Sequence, residues 1–176
     1  GDIVIYIYGA IASGKSAYAE DYVCRLGKER VYLALMQVYG EEGRKRVKKH
    51  RKMREGKKFR TVECQRPRTG MVKSSEIVLL ECMSNFLANT MFQKDGIMTD
   101  RLLAVEKIQS EIFMLASECK ELVIVGNDIF DDEKSYSKEV EEYILAMEEL
   151  HDWLIKESQQ VIEVIFGIAK IVKEKL

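Results

Sequence analysis

The chain is 176 residues long, 47% hydrophobic and 32% charged, enough apolar material for one packed core and enough charge to keep its surface in water. Its net charge of −1 provides no whole-molecule field that would favour nucleic acid or an anionic membrane. No apolar run reaches the roughly 20 residues that a spanning helix needs, no two of the four cysteines stand at CxxC spacing, and without a signal-like start the expected compartment is the reducing cytoplasm, with free thiols.

Along the chain, Asp2–Tyr8 (DIVIYIY) is β-branched and aromatic and reads as a buried strand. A helix is expected from Ser16 to about Leu26, then a second strand at Val31–Leu35 (VYLAL). Charge is uneven beyond that point. Eleven Lys or Arg lie between Arg44 and Arg60 against one acid, Glu55, while ten acids lie between Asp131 and Glu157 against three bases. The basic stretch Glu41–Lys52 has so few apolar positions that, as a helix, it would be solvated nearly all round or lie against something negative. Arg66–Ser75 reads as a mobile loop. Glu76–Leu80 (EIVLL) is a third strand running straight into a helix at Met83–Phe92, and Gln93–Thr99 is a second mobile loop. Apolar residues at Val105, Ile108, Ile112, Leu115 and Ala116 place an amphipathic helix over Asp100–Cys119. Leu122–Val125 is a fourth strand, Lys138–Ser158 a long amphipathic helix, and Val161–Phe166 a last clear strand with Ile168–Val172 beside it. Strands that are near-continuous apolar runs, alternating with helices, predict an α/β fold: a mostly parallel sheet with helices on both faces, in a single domain over residues 1–176.

The prediction of a ligand comes from the loop after the first strand. Gly9-Ala10-Ile11-Ala12-Ser13-Gly14-Lys15-Ser16 fits GxxxxGK[ST], with a strand before it and a helix after it. Gly9 lets the chain turn off the strand, and Gly14 lets backbone approach a phosphate with no Cβ in the way. Successive amides then face one concavity at a helix N-terminus, Lys15 adds a full charge over the β- and γ-phosphates, and the Ser16 hydroxyl is a ligand for Mg²⁺. Such a site also needs an acid at a neighbouring strand end. Glu81, directly after EIVLL, is the first candidate, and Asp128, after LVIVGN, the second.

Of the two histidines, His151 sits beside an apolar helical stripe and reads as a packing or surface residue. His50 lies in RVKKHRKMR. Cations around it disfavour imidazolium and leave a neutral, nucleophilic ring, and the same cations would attract polyphosphate. An imidazole facing a nucleotide α-phosphate could form a phosphoramidate. The competing readings are a solvated helix carrying a stray histidine and a nucleic-acid patch, the latter without interleaved aromatics for stacking.

These stretches, in this order, resemble the bifunctional adenosylcobinamide kinase/adenosylcobinamide-phosphate guanylyltransferases. The P-loop is followed by Val31-Tyr32-Leu33-Ala34-Leu35-Met36-Gln37, similar to the family's YIATxQ, and by Arg46-Val47-Lys48-Lys49-His50-Arg51 with Arg54, similar to RIxxHxxxR. Phe59-Arg60-Thr61-Val62-Glu63 resembles WxTxE with one residue inserted, Leu79-Leu80-Glu81-Cys82 with Asn89 resembles LLDC…N, and Asn127-Asp128 stands where the family has Asn-Glu. The resemblance implies a RecA-like P-loop fold in a homotrimer and two reactions: phosphorylation of the aminopropanol hydroxyl of adenosylcobinamide by ATP or GTP, then transfer of GMP from GTP through a guanylylated histidine. By position that histidine is His50. The implied nucleotide contacts are the loop Gly9–Ser16 with Arg54, Glu63 and Asp128, and the implied Mg²⁺ ligands are Ser16 and Glu81.

The chain departs from the family pattern at three places. Ala10 and Ala12 replace a glycine and an arginine of GGxRSGKS, Ile129-Phe130-Asp131-Asp132 replaces GxGIVP, and Tyr143–Trp153 lacks the arginine and Asn-Gln of a later helix. Two alternatives follow: a nucleotide-binding homologue that has lost the corrinoid site, and a P-loop kinase for another small alcohol. No nucleic acid and no membrane span are expected in any of the three.

Overall fold

The computed structural model describes residues 2–35, 40–92, 96, 98–127 and 136–174, without the side chains at 40, 42, 43, 46, 50 and 53. Chain order is β1 (Val4–Gly9), α1 (Lys15–Leu26), β2 (Arg30–Leu35), α2 (Gly40–Arg54), β3 (Phe59–Cys64), β4 (Ile77–Glu81), α3 (Met83–Met91), α4 (Arg101–Glu118), β5 (Glu121–Asn127), α5 (Lys138–Glu157), β6 (Gln160–Ile165) and β7 (Ile168–Glu174). The strands form one sheet in the order β3-β2-β4-β5-β1-β6-β7. All neighbours are parallel except β6 and β7, which form an antiparallel hairpin at one edge.

Both faces of the sheet are covered, which is why its central strands read as unbroken apolar runs. Because side chains alternate along a strand, Tyr6, Leu33, Leu80 and Ile124 join a core against α3, α4 and α5. Their neighbours Ile7, Tyr32, Leu79 and Val125 join a second core against α1. His151 belongs to the larger core's rim, with its Nδ1 2.7 Å from the Tyr6 hydroxyl and its ring edge against Tyr8.

Two elements differ from the sequence expectation. Strand β3, which the sequence did not suggest, shows no apolar run: none of FRTVEC is fully buried, and Arg60 and Glu63 are exposed, as suits the outermost strand of the sheet. The basic stretch is indeed helical, but α2 is not merely solvated. Its last residue, Arg54, is 5% exposed and lies with its guanidinium carbon 3.5 Å from the centre of the Tyr32 ring. Just past the helix, Lys57 pairs with the buried Glu20 of α1 at 2.9 Å. The segment Arg66–Ser75 is tied down by Arg66 to Glu111 at 2.7 Å and by the Lys73 amide to Glu76. Of Gln93–Thr99, only 96, 98 and 99 lie among the described residues.

Glu76, just before β4, is buried and receives both arms of the Arg60 guanidinium, at 3.0 and 2.8 Å. Those hydrogen bonds hold its carboxyl below the usual 4.5, against the opposing effect of burial. A depressed carboxylate pKa stabilises the fold above the unfolded value and loses that contribution as pH falls through the folded one. Arg60→Met is therefore expected to lower the melting temperature by about 3 °C at pH 7, for roughly 1 kcal/mol lost. The gap between the two proteins should close as the pH is taken below about 4. A gap independent of pH would mean the arginine acts through its aliphatic stem instead.

Candidate functional site

The site sits at the carboxyl end of the parallel strands, where β1 gives way to α1. Gly9 could be nothing larger: a Cβ there would stand 2.5 Å from the Val164 carbonyl and 2.6 Å from Ser13 Oγ. Gly14, with φ of 87°, and Ala12, with φ of 62°, take the left-handed conformation that curls the loop. The Ser13 amide closes a turn onto the Ala10 carbonyl at 3.1 Å, and the first helical bond runs from Tyr18 to Gly14. From the side, the β6–β7 turn braces the loop, with the Gly167 amide 2.6 Å from the Ser13 carbonyl.

Lys15 is 9% exposed, and its ammonium donates to the Ala10 carbonyl at 3.2 Å. Among the described residues it makes no ion pair. A buried cation held by a neutral acceptor is poised for an anion. Ser13 Oγ is buried without a hydrogen-bond partner among the described residues, a second donor facing the same need.

The Ser16 hydroxyl donates to Oε1 of Glu81, so the helix start and the end of β4 meet although β5 separates β1 from β4 in the sheet. The other carboxylate oxygen of Glu81 accepts from the Tyr32 hydroxyl at 2.6 Å. Burial, then the Glu81 charge, push the Tyr32 phenol far above its ordinary range, so it stays a donor. Arg54 stacks on that same ring, and its Nε and Nη1 are buried without partners among the described residues. Guanidinium donors kept out of water and left unpaired are costly unless an anion reaches them. Tyr32 was invisible as a site residue in VYLAL. The available signal was chemical: a phenol in the middle of a buried strand needs a partner for its hydroxyl.

The remaining candidates divide. Ala10, Ile11 and Ala12 are in the loop, with Ile11 77% exposed. Glu63, at the end of β3, accepts from Arg51 of α2 at 2.6 Å, which fastens the helix to the edge strand. The backbone of His50 lies in α2, one helical turn before Arg54, and its side chain is outside the described residues, as is the whole of Asp128. Two asparagines of the resemblance act as braces. Asn89 donates to the carbonyls of Leu35 and Gln65, joining α3 to the ends of β2 and β3. Asn127 donates to Ser84 Oγ at 3.2 Å, where the Tyr143 phenol, pushed up to about 12 by burial and the neighbouring Cys82, donates to the Ser84 carbonyl.

The oxygen donors suit Mg²⁺. One hydroxyl and one carboxylate already in contact, completed by phosphate oxygens and water, is how this hard ion is usually held. Among the described residues no three His, Cys, Asp or Glu side chains gather into a cage, and a site completed by substrate phosphates needs none.

Sheet, loop and strand-end acid together define a P-loop nucleotide-binding protein of RecA-like fold. The ATPase domain of G40P shares that fold, with a TM-score of 0.50 at 12% identity over 92% of this chain and 69% of that one. The flagellar accessory protein FlaH from Methanocaldococcus jannaschii matches more loosely, at 0.45 and 15% identity over 99% and 79%. The family model for cobinamide kinase / cobinamide phosphate guanyltransferase matches residues 5–172, and the chain belongs to that family. The bifunctional adenosylcobalamin biosynthesis protein CobU of Escherichia coli (strain K12) is 28% identical over 139 residues, 72% of this chain and 76% of that protein.

Proposed function

We propose that this chain is a transferase of cobalamin biosynthesis that phosphorylates adenosylcobinamide and then transfers GMP onto the phosphate. The observation that carries the reading is the run of contacts from the loop outward, in a chain of this family: buried Lys15, the Ser16–Glu81 pair, Tyr32 on Glu81, and Arg54 stacked on Tyr32 with two buried donors unpaired among the described residues. Mg²⁺, held by Ser16 and Glu81, would neutralise charge on the β- and γ-phosphates.

In the kinase step the loop amides and Lys15 grip the triphosphate tail. The aminopropanol oxygen of the corrinoid attacks the γ-phosphorus, the bond to the β-phosphate oxygen breaks, and the hydroxyl proton leaves to solvent or a nearby base. In the second reaction an imidazole nitrogen of His50 attacks the α-phosphorus of GTP and pyrophosphate departs. The corrinoid phosphate then attacks the same phosphorus, the N–P bond breaks, and the GDP-linked product leaves with His50 restored. Arg54 is offered as the group that meets charge developing on the phosphates, because two of its N–H donors are buried and unpaired among the described residues. Glu63 keeps α2 in place through Arg51, and Asp128 is assigned to the nucleotide by its place after β5. Assembly as a homotrimer goes with this reading.

The test is direct. Protein incubated with GTP labelled at the α-phosphate and Mg²⁺ should take up label that is lost in acid and kept in alkali, and cobinamide phosphate should discharge it. Folded protein that binds GTP but takes up no label would leave a kinase or a binding protein without the transferase half.

A further inference from the structure

The β6–β7 hairpin turns through Phe166 and Gly167, both at positive φ, 48° and 76°. Such turns favour Asn-Gly or Gly-Gly, and a bulky aromatic at the first position is strained. Burial does not offset the strain, because Phe166 is 91% exposed. A local rule broken without a structural gain marks a residue retained for what it touches.

The turn belongs to the nucleotide site. The Gly167 amide holds the Ser13 carbonyl, and a Cβ on Gly14 would lie 3.4 Å from Gly167 Cα. Phe166, the residue before Gly167, is thereby placed beside the phosphate loop, on the β6 flank of β1, with its side chain exposed. Ser16 and Glu81 define the opposite flank, toward β4. A nucleotide whose terminal phosphates face Glu81 extends its nucleoside end away from β4, toward the hairpin. We propose that Phe166 stacks on the purine base of the nucleotide held by the loop. This rests on the phosphate-loop reading above. An aromatic face reads the face of a base and not its edge, so ATP and GTP gain alike.

The experiment compares Mg²⁺-ATP, Mg²⁺-GTP and Mg²⁺-tripolyphosphate by calorimetry on the wild type, Phe166→Asn and Phe166→Trp. Asparagine suits the turn, so that variant should melt no lower than the wild type. It should bind both nucleotides about tenfold more weakly while keeping its affinity for tripolyphosphate, and the tryptophan variant should restore nucleotide affinity. Unchanged nucleotide binding in Phe166→Asn overturns the proposal, as does an equal loss for nucleotide and tripolyphosphate, which would make the turn a brace for the loop. A change in oligomeric mass with intact affinity assigns the ring to an interface between copies and overturns it too. Wild-type protein that binds none of the three ligands removes the phosphate-loop reading and this proposal with it.

Discussion

Lys15→Ala is expected to lower both partial reactions by about a thousand-fold or more, because its ammonium is the one full positive charge carried by the loop itself. The same substitution should not destabilise the nucleotide-free protein. Lys15 is 9% exposed, its described contact is the neutral Ala10 carbonyl, and removing it relieves a buried charge with no counterion. Activity falling while the melting temperature holds or rises is thus the signature of a residue kept for its ligand. Steady-state rates with cobinamide and GTP, set beside calorimetric melting, provide both readings. A variant within tenfold of wild-type turnover would place catalysis elsewhere in the molecule.

His50→Ala should divide the two reactions. The guanylylated intermediate should vanish and GMP transfer should drop by about four orders of magnitude, as when a covalent nucleophile is removed. Phosphorylation of cobinamide should stay within a few-fold of the wild type, since the proposed grip on the γ-phosphate is that of Lys15, Ser16 and Glu81. Product analysis on a single reaction mixture separates these outcomes: cobinamide phosphate accumulates and the GDP-linked product does not form. Loss of both products together would mean that α2 has shifted as a whole, taking Arg54 off the Tyr32 ring. Retention of both would remove the histidine from the mechanism.

Much of the fold was legible because it rests on local rules. Near-continuous apolar strands alternating with amphipathic helices signal a sheet covered on both sides, and β1, β4 and β5 lie within two residues of where those runs place them. Strand β3 was not legible: its residues carry only a motif resembling WxTxE, with no strand expected there. An edge strand needs no apolar run, and FRTVEC looks like surface. The antiparallel direction of β7 follows from a two-residue turn, Phe166-Gly167, too short for a parallel crossover.

The phosphate loop is the part of the site that residue order alone determined. Its glycines, lysine and serine act through backbone conformation and a helix terminus, properties of contiguous residues that need no distant partner to be recognised. Glu81 was also legible, from its place at a strand end, but the contacts that join the loop to a larger site were decided by tertiary structure. Ser16 meets Glu81 across an intervening strand, Tyr32 turns its hydroxyl to that carboxylate, Arg54 lies on the Tyr32 ring with Nε and Nη1 unpaired among the described residues, and the hairpin turn closes on Ser13. These contacts join residues from 22 to 154 positions apart, and their strength depends on being excluded from water together. That condition depends on the sheet order and on where α2 docks, neither of which any local pattern encodes.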